Sequence, residues 1–231
     1  EERISIYHDV YDNKVPKRVP VGISLPFEFV AQYGGLNLAQ AQWNPSIVEE
    51  TADKLCQKVY SDTCVFSGSL RFPSFYELMK SQSFVMASNG FIQHPEVVGM
   101  MPEDYDYLIE KPYDCILERV LPRQYKALDA ADPINSAISL TKSVLAYNND
   151  FMESGMIVGK LTEKYGYYPG NLFSGGFSEA PFDFIADQLR GFKGISMDIR
   201  RIPDKLKEAC EAVYPIVFKK GLPAQISNYG Q

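Results

Sequence analysis

The feature of the sequence that most constrains the fold is the stretch from Leu172 to Pro203, where a short apolar run is followed by a glycine turn and then by a helix. The run ends at the Gly-Gly pair 175–176, and the helix is expected to start at Ser178, whose hydroxyl can accept a hydrogen bond from a free backbone N–H. Pro181 fits the first helical turn, and Gly191 predicts the end of the helix. Because α/β folds bind ligands where a glycine loop leads into a helix, we predict one strand–helix unit of a βα barrel, with its loop facing a substrate.

Short strand-like and long helix-like segments alternate along the chain. The clearest strand predictions are Val19–Leu25 and Asp62–Ser67. Helices are predicted over Arg3–Tyr11, Phe27–Tyr33, Pro45–Tyr60, Pro102–Glu110, Pro112–Gln124, Pro133–Tyr165 with a break near Gly155, and Pro203–Gly221. This alternation is typical of a parallel sheet and predicts the α/β class. Because only three or four strands are convincing, and a complete (β/α)8 TIM barrel takes about 250 residues, about half of such a barrel is predicted.

Composition restricts the class of protein. The chain has 231 residues, of which 45% are hydrophobic and 23% charged, and a single domain over residues 1–231 is expected. A net charge of −6 and an isoelectric point near 5.1 argue against a nucleic-acid partner. No apolar run approaches the roughly 18 residues that a membrane-spanning helix needs.

The cysteines favour a reducing compartment. Cys56, Cys64, Cys115 and Cys210 are scattered, with no CxxC pair among them and no secretory leader ahead of them. Reduced thiols and a cytoplasmic location are therefore expected, and no metal site is predicted from these residues.

Four segments resemble the uroporphyrinogen decarboxylase superfamily, which includes the decarboxylase and the corrinoid-linked methyltransferases. They are VPVGISL at 19–25, VYSDTCVFSG at 59–68, FSEAPFDFIADQLRG at 177–191 and MDIRRIPDKLKEACEAV at 197–213. The resemblance spans nearly the whole chain but only the N-terminal half or so of the family fold. It implies a TIM barrel of the uroporphyrinogen decarboxylase type, present in part and with extra helices.

The resemblance also implies site residues. Asp62 corresponds to a family aspartate that stabilises positive charge on the substrate, and is therefore the predicted catalytic residue. Phe177 corresponds to a phenylalanine of the substrate pocket. Glu179 and Asp187, the latter where the family has a tyrosine, are substrate-binding candidates or solvated helix residues. His94 in QHPE is a further substrate-binding candidate, because His-x-Glu can supply a metal or proton site, or else it is a structural loop histidine.

One departure from the family pattern decides between its branches. The segment LPFEFVAQY at 25–33 stands where the decarboxylase has an arginine-bearing loop, and it contains no arginine. A porphyrinogen with eight carboxylates needs such donors. We therefore expect corrinoid-linked methyl transfer to a thiol or folate acceptor, with a small-molecule substrate and a corrinoid protein as partner. Zinc and corrinoid are expected only in a full-length protein, because the resemblance places the zinc ligands in the second half of the barrel.

Two alternatives stay open. The chain is a decarboxylase acting on uroporphyrinogen or a smaller carboxylated substrate, with Asp62 stabilising a protonated intermediate. Alternatively it is a non-catalytic, truncated binding or scaffold domain, which associates through an open sheet edge and forms a homo-oligomer.

Overall fold

The computed structural model describes residues 1–170 and 178–222, and it is 64% helical. In the described residues the one sheet has two short strands, β1 (Val85–Met86) and β2 (Ile92–Gln93), which pair antiparallel. The helices are α1 (Glu2–Tyr11), α2 (Phe27–Tyr33), α3 (Leu38–Trp43), α4 (Glu49–Lys58), α5 (Pro73–Leu78), α6 (Tyr105–Glu110), α7 (Pro112–Cys115), α8 (Leu121–Gln124), α9 (Pro133–Tyr165), α10 (Pro181–Asp183), α11 (Phe192–Arg201) and α12 (Pro203–Gly221). Turns of 3-10 helix precede α4 and α6 (Pro45–Val48, Pro102–Asp104), and wider π-helical stretches follow α7 and α10 (Ile116–Val120, Phe184–Arg190).

The prediction of an α/β protein with a (β/α)8 TIM barrel, in whole or in half, is wrong for the described residues, which are mostly helical. The two segments predicted as strands do lie side by side and run parallel, but they form only one bridge, between Leu25 and Phe66. The backbone N–H of Leu25 donates to Val65 (2.7 Å), and that of Asp62 donates to Val21 (2.7 Å).

Side chains explain why this pair does not extend into a sheet. The N–H of Val21 donates to a carboxylate oxygen of Asp62 (2.8 Å), and the N–H of Ile23 donates to the hydroxyl of Ser61 (3.1 Å). These N–H groups would otherwise pair with carbonyls of a neighbouring strand. Polar side chains that bond locally to the backbone compete with sheet ladders in this way.

The N-terminal core is enclosed by α2, α3, α4, the parallel pair and the last turns of α9. Its buried side chains are Phe27, Val30, Ala31, Leu38, Ala41, Val48, Ala52, Leu55, Cys56, Val65, Phe66, Ile157, Leu161 and Tyr167. The predicted helix over Pro45–Tyr60 is confirmed as a 3-10 turn followed by α4.

The C-terminal core is built from α6, α7, the stretch 116–120, α11, α12 and the stretch 184–190. Its buried side chains are Met100, Tyr105, Leu108, Cys115, Val120, Ile185, Ala186, Leu189, Ile195, Leu206, Ala209 and Val213. The predicted start of α12 at Pro203 is confirmed. The prediction that Ser178 caps a helix is wrong, because Ala180 precedes α10 and the Ser178 hydroxyl donates to the carbonyl of Val217 (2.6 Å).

The longest element is α9. Asp132 accepts the N–H of Asn135 (3.2 Å) at its start, and Gly166 ends it in the left-handed conformation (φ 58°). The predicted break near Gly155 is wrong, since a single glycine costs a helix only about 1 kcal/mol. None of the described helices, α9 included, is both long and apolar enough to cross a membrane.

Buried ion pairs hold the C-terminal core together. Arg190 donates to Asp198 (2.7 Å), and the hydroxyl of Tyr105 donates to the same carboxylate (2.9 Å). All three side chains are buried. Because a buried carboxylate is stable only when it is neutralised and hydrogen-bonded, this cluster fixes α11 against α6 and against the stretch 184–190.

Replacing Asp198 with alanine is expected to lower the free energy of unfolding by about 3–5 kcal/mol, because it leaves the Arg190 guanidinium buried without a counter-charge. Urea denaturation measures the change. Asp106→Ala is the matched control, since Asp106 is 81% exposed in its ion pair with Lys205 and its loss should cost less than about 1 kcal/mol. Equal effects of the two variants would contradict the role assigned to the buried cluster.

Candidate functional site

Asp62, the predicted catalytic residue, lies at the start of the second parallel segment with its side chain fully buried. Both terminal nitrogens of Arg18 donate to its two oxygens (2.6 and 2.7 Å). The Nε of Arg3 donates to one oxygen (3.3 Å), and the backbone N–H of Val21 donates to the other (2.8 Å). The carboxylate is therefore neutralised from two directions.

These contacts determine the charge of the site. The hydrogen bonds from Arg18 are the main reason that the pKa of Asp62 lies well below its usual range, and those from Val21 and Arg3 act in the same direction against the opposing effect of burial. The same pairing raises the pKa of Arg18. Asp62 therefore stays ionised at neutral pH, so it neither donates nor accepts a proton there.

A recess of about 310 Å³ lies over the ion cluster, lined by Glu1, Glu2, Arg3, Arg18, Tyr60 and Gly166. The guanidinium of Arg3 also donates to the carbonyls of Tyr165 (2.6 Å) and Gly166 (2.9 Å) at the end of α9. Since the arginines already bind protein groups, the geometry favours a structural role for Asp62. The cluster joins α1, the link before Val21, the second parallel segment and α9.

His94 lies in a different environment, just after β2. Its exposed ring stacks on Phe84 with 4.4 Å between centroids and 9° between planes, and Arg71 lies over the same phenylalanine at 4.9 Å. Glu96, the acidic residue of the His-x-Glu motif, accepts the N–H of Lys193 (2.7 Å) at the start of α11. The motif therefore does not bring its two side chains to one ligand.

The remaining predicted site residues are also separate. Glu179 is paired with Lys220 of α12 (3.0 Å), and Asp187 is exposed on the stretch 184–190. Phe177 lies outside the described residues. None of the contacts of Asp62 involves Glu179, Asp187 or His94, so the described structure does not gather these residues around one substrate.

An open groove with a volume of about 570 Å³ lies between the start of α4 and the end of α9. Its charged side chains are paired with one another: Lys160 binds both carboxylate oxygens of Glu49 (3.1 Å), and Lys164 binds Asp53 (2.7 Å). A groove with internally satisfied charges offers no free acid or base to a substrate.

A pair of thiols was not anticipated from sequence. Cys56 and Cys64 share a hydrogen bond beside the N-terminal core, which lowers the pKa of Cys56 and, together with burial, raises that of Cys64. In residues 1–170 and 178–222, no group of three histidine, cysteine, aspartate or glutamate side chains is arranged to hold a metal ion. The described residues therefore do not fit the zinc site that methyltransferase chemistry implies.

The arginine partners of Asp62 were likewise missed, although a signal for Arg18 exists. Arg18 belongs to the basic link KVPKR at 14–18, directly before the predicted first strand. A cation in that position can reach a carboxylate on the neighbouring parallel segment, because the two segments begin at the same edge. Arg3 had no such signal, because its contact depends on how α1 packs against the end of α9.

Asp62→Asn is expected to lower the free energy of unfolding by about 2 kcal/mol at pH 7, because Arg18 loses its counter-charge. The difference from the wild type should shrink as the pH falls below about 4. The native pKa of Asp62 is depressed, so the carboxylate stabilises the fold above the unfolded value near 3.9 and loses that effect as the pH falls further. Urea denaturation between pH 7 and pH 2 measures this, with the exposed Asp187→Asn as control. A difference that does not vary with pH would rule out the ion cluster as its cause.

Comparison of the chain with protein-family profiles, with curated proteins and with solved structures found no match in any of the three. The likeness to the uroporphyrinogen decarboxylase superfamily therefore rests on the residues of the chain themselves. Any function must be argued from those residues and from the geometry described above.

Proposed function

We propose that this chain contributes to corrinoid-linked methyl transfer, as one part of a larger catalytic unit. One geometric observation supports the proposal. Two of the segments that carry the family resemblance, 19–25 and 59–68, are the two that lie parallel and form the Leu25–Phe66 bridge. The connection between them contains α2, α3 and α4, which pack against the pair in the N-terminal core. The two segments are thus neighbours with three helices between them in sequence, although they form a single bridge and not a barrel.

The position of a ligand follows from this arrangement. In parallel α/β units, ligands bind beyond the carboxyl ends of the strands. Here that edge is formed by residues 26–29 and 67–70, where Phe29 and Leu70 are exposed. Gly68 has φ 75° and lies so close to α9 that the neighbouring N–H of Ser69 donates to the Ser154 hydroxyl (2.9 Å). An apolar edge of this kind suits the broad face of a tetrapyrrole-like ring better than it suits a small ion.

The charges at this edge favour methyl transfer over decarboxylation of a polycarboxylate. Residues 25–33 contain no arginine, and Arg71, the one arginine directly beside 67–70, lies over the ring of Phe84 at 4.9 Å. A substrate with many carboxylates needs several charge-assisted donors, and one arginine does not supply them. Because the described residues do not fit a zinc site, the metal, the corrinoid carrier and the acceptor site are assigned to other parts of the catalytic unit.

The test is binding of methylcobalamin by the chain, followed by the fluorescence of its single tryptophan. Demethylation in the presence of 2-mercaptoethanol is measured alongside and is expected only when the rest of the catalytic unit is present. Saturable binding is expected, and the double variant Phe29→Glu, Leu70→Glu should weaken it at least about tenfold, because burying a charge against an apolar ring is unfavourable. Phe192→Glu, on an exposed side chain of α11, is the matched control and should bind as the wild type does.

Three results would overturn the proposal. They are release of CO₂ from uroporphyrinogen without any demethylation of methylcobalamin, absence of corrinoid binding, and equal binding by the edge variant and the wild type. The first would return the assignment to the decarboxylase alternative, and the second would favour a non-catalytic binding domain.

A further inference from the structure

The side of α9 that faces away from the N-terminal core is apolar and is not covered by other described residues. Eight large apolar side chains of α9 are between 44% and 73% exposed; Leu140, Val144 and Phe151 lie to one side, and the other five line up along the helix. With two exposed polar residues they form a row, here named the outer stripe: Ile134, Ile138, Thr141, Leu145, Asn149, Met152 and Met156. The buried Ser154 is nine residues from Leu145, about two and a half turns, so the outer stripe lies opposite the packed face. An apolar row of this length on a surface helix indicates an interaction surface.

The outer stripe is symmetric about Leu145. Moving away from Leu145 in either direction, the stripe meets a polar residue (Thr141 or Asn149) and then two apolar residues, at equal distances along the chain. A two-fold axis through Leu145 therefore places each member against its mirror position in a second antiparallel copy. The apolar residues then face apolar residues, and Thr141 faces Asn149. A surface that is complementary to itself in this way is what a two-fold symmetric dimer requires.

The charges beside the stripe agree with the antiparallel arrangement. Lys142 and Glu153 lie on the same flank of the stripe. When two helices pair antiparallel about Leu145, this flank of one copy meets the same flank of the other. Lys142 then lies about 7.5 Å along the axis from Glu153 of the second copy, within reach of two long side chains. A parallel arrangement would place these flanks on opposite sides of the pair.

We propose that the outer stripe joins two copies of this chain in an antiparallel helix pair with a two-fold axis at Leu145. The row is about 33 Å long, and a helix with its side chains is about 10 Å wide, so each copy would cover roughly 330 Å² from α9. That is less than the roughly 800 Å² per partner of a stable interface, so the dimer should depend on concentration. The proposal does not depend on the methyl-transfer function.

Cysteine substitution distinguishes the antiparallel pair of two copies from any other arrangement on the outer stripe. Leu145→Cys places the two new thiols together at the axis and should form an intermolecular disulfide under mild oxidation by oxidised glutathione, which is reduced as the two thiols are oxidised. Ile138→Cys should not link to itself, since its two copies lie about 21 Å apart along the axis. An equal mixture of Ile138→Cys and Met152→Cys should give the mixed dimer. The wild type, which has only its four native cysteines, is the control for intermolecular disulfides that do not involve the new thiols.

Sedimentation equilibrium supplies the second measurement. The wild type should associate between about 1 and 100 μM, and Leu145→Glu should remain monomeric. Leu140→Glu, at an exposed leucine of the same helix that is turned about 140° away from the stripe, should associate as the wild type does. Circular dichroism confirms that the variants are folded. A wild type that is monomeric at 100 μM would overturn the proposal and assign the stripe to another occupant. Self-linking of Ile138→Cys would replace the antiparallel pair with a parallel one.

Discussion

The ion cluster around Asp62 connects parts of the chain that are far apart in sequence. Arg18 binds both oxygens of the carboxylate, and Arg3 bridges from it to the carbonyls at the end of α9. The backbone N–H of Val21 completes the cluster. Because the carboxylate is buried, its desolvation has to be offset by all of these donors together, and this requirement fixes α1, the parallel pair and α9 relative to one another.

The same principle operates in the C-terminal core, where Asp198 is held by Arg190 and Tyr105. Asp104 is a third example: burial alone would raise its pKa, but hydrogen bonds from Arg123, from the N–H of Met101 and from Arg119 outweigh that effect and lower the pKa to about 2. In each case a buried carboxylate lies between elements and not in an open pocket. The lowered pKa values of Asp62 and Asp104 are therefore explained by packing, and a perturbed pKa alone does not indicate catalysis here.

Functional surfaces are instead suggested by uncovered apolar groups. The carboxyl-end edge of the parallel pair exposes Phe29 and Leu70, and the outer stripe of α9 exposes a self-complementary row. These surfaces lie on different parts of the structure and make different demands on a partner. The ligand proposed for the first is a flat ring, and the partner proposed for the second is α9 of another copy. The two proposals are compatible, because a chain can carry both a ligand-binding edge and a separate surface for dimer formation.

Much of the helical structure could be predicted from local sequence. Asp132-Pro133 and Pro203 mark the starts of helices, and Gly191, with its positive φ, separates two helical stretches. These signals can be read from sequence because a capping side chain, an N-terminal proline and a glycine each act on residues only a few positions away. The two segments predicted as strands lie side by side but form a single bridge and no strand, so the strand prediction and the barrel expected from it were wrong. Whether an extended segment joins a sheet depends on where its N–H groups donate, and here they donate to Ser61 and Asp62.

The sequence by itself determined where several helices start and stop and the acidic character of the chain, but the fold class predicted from it was wrong. Only the tertiary structure decided the role of Asp62, because a carboxylate at the start of an extended segment has the same local sequence whether it faces a substrate or an arginine. That choice is made by Arg3 and Arg18, which reach it from 59 and 44 residues away. The basic link 14–18 is a local signal for Arg18, but the contact of Arg3 depends on how α1 packs against the end of α9, and local pattern carries no information about that packing.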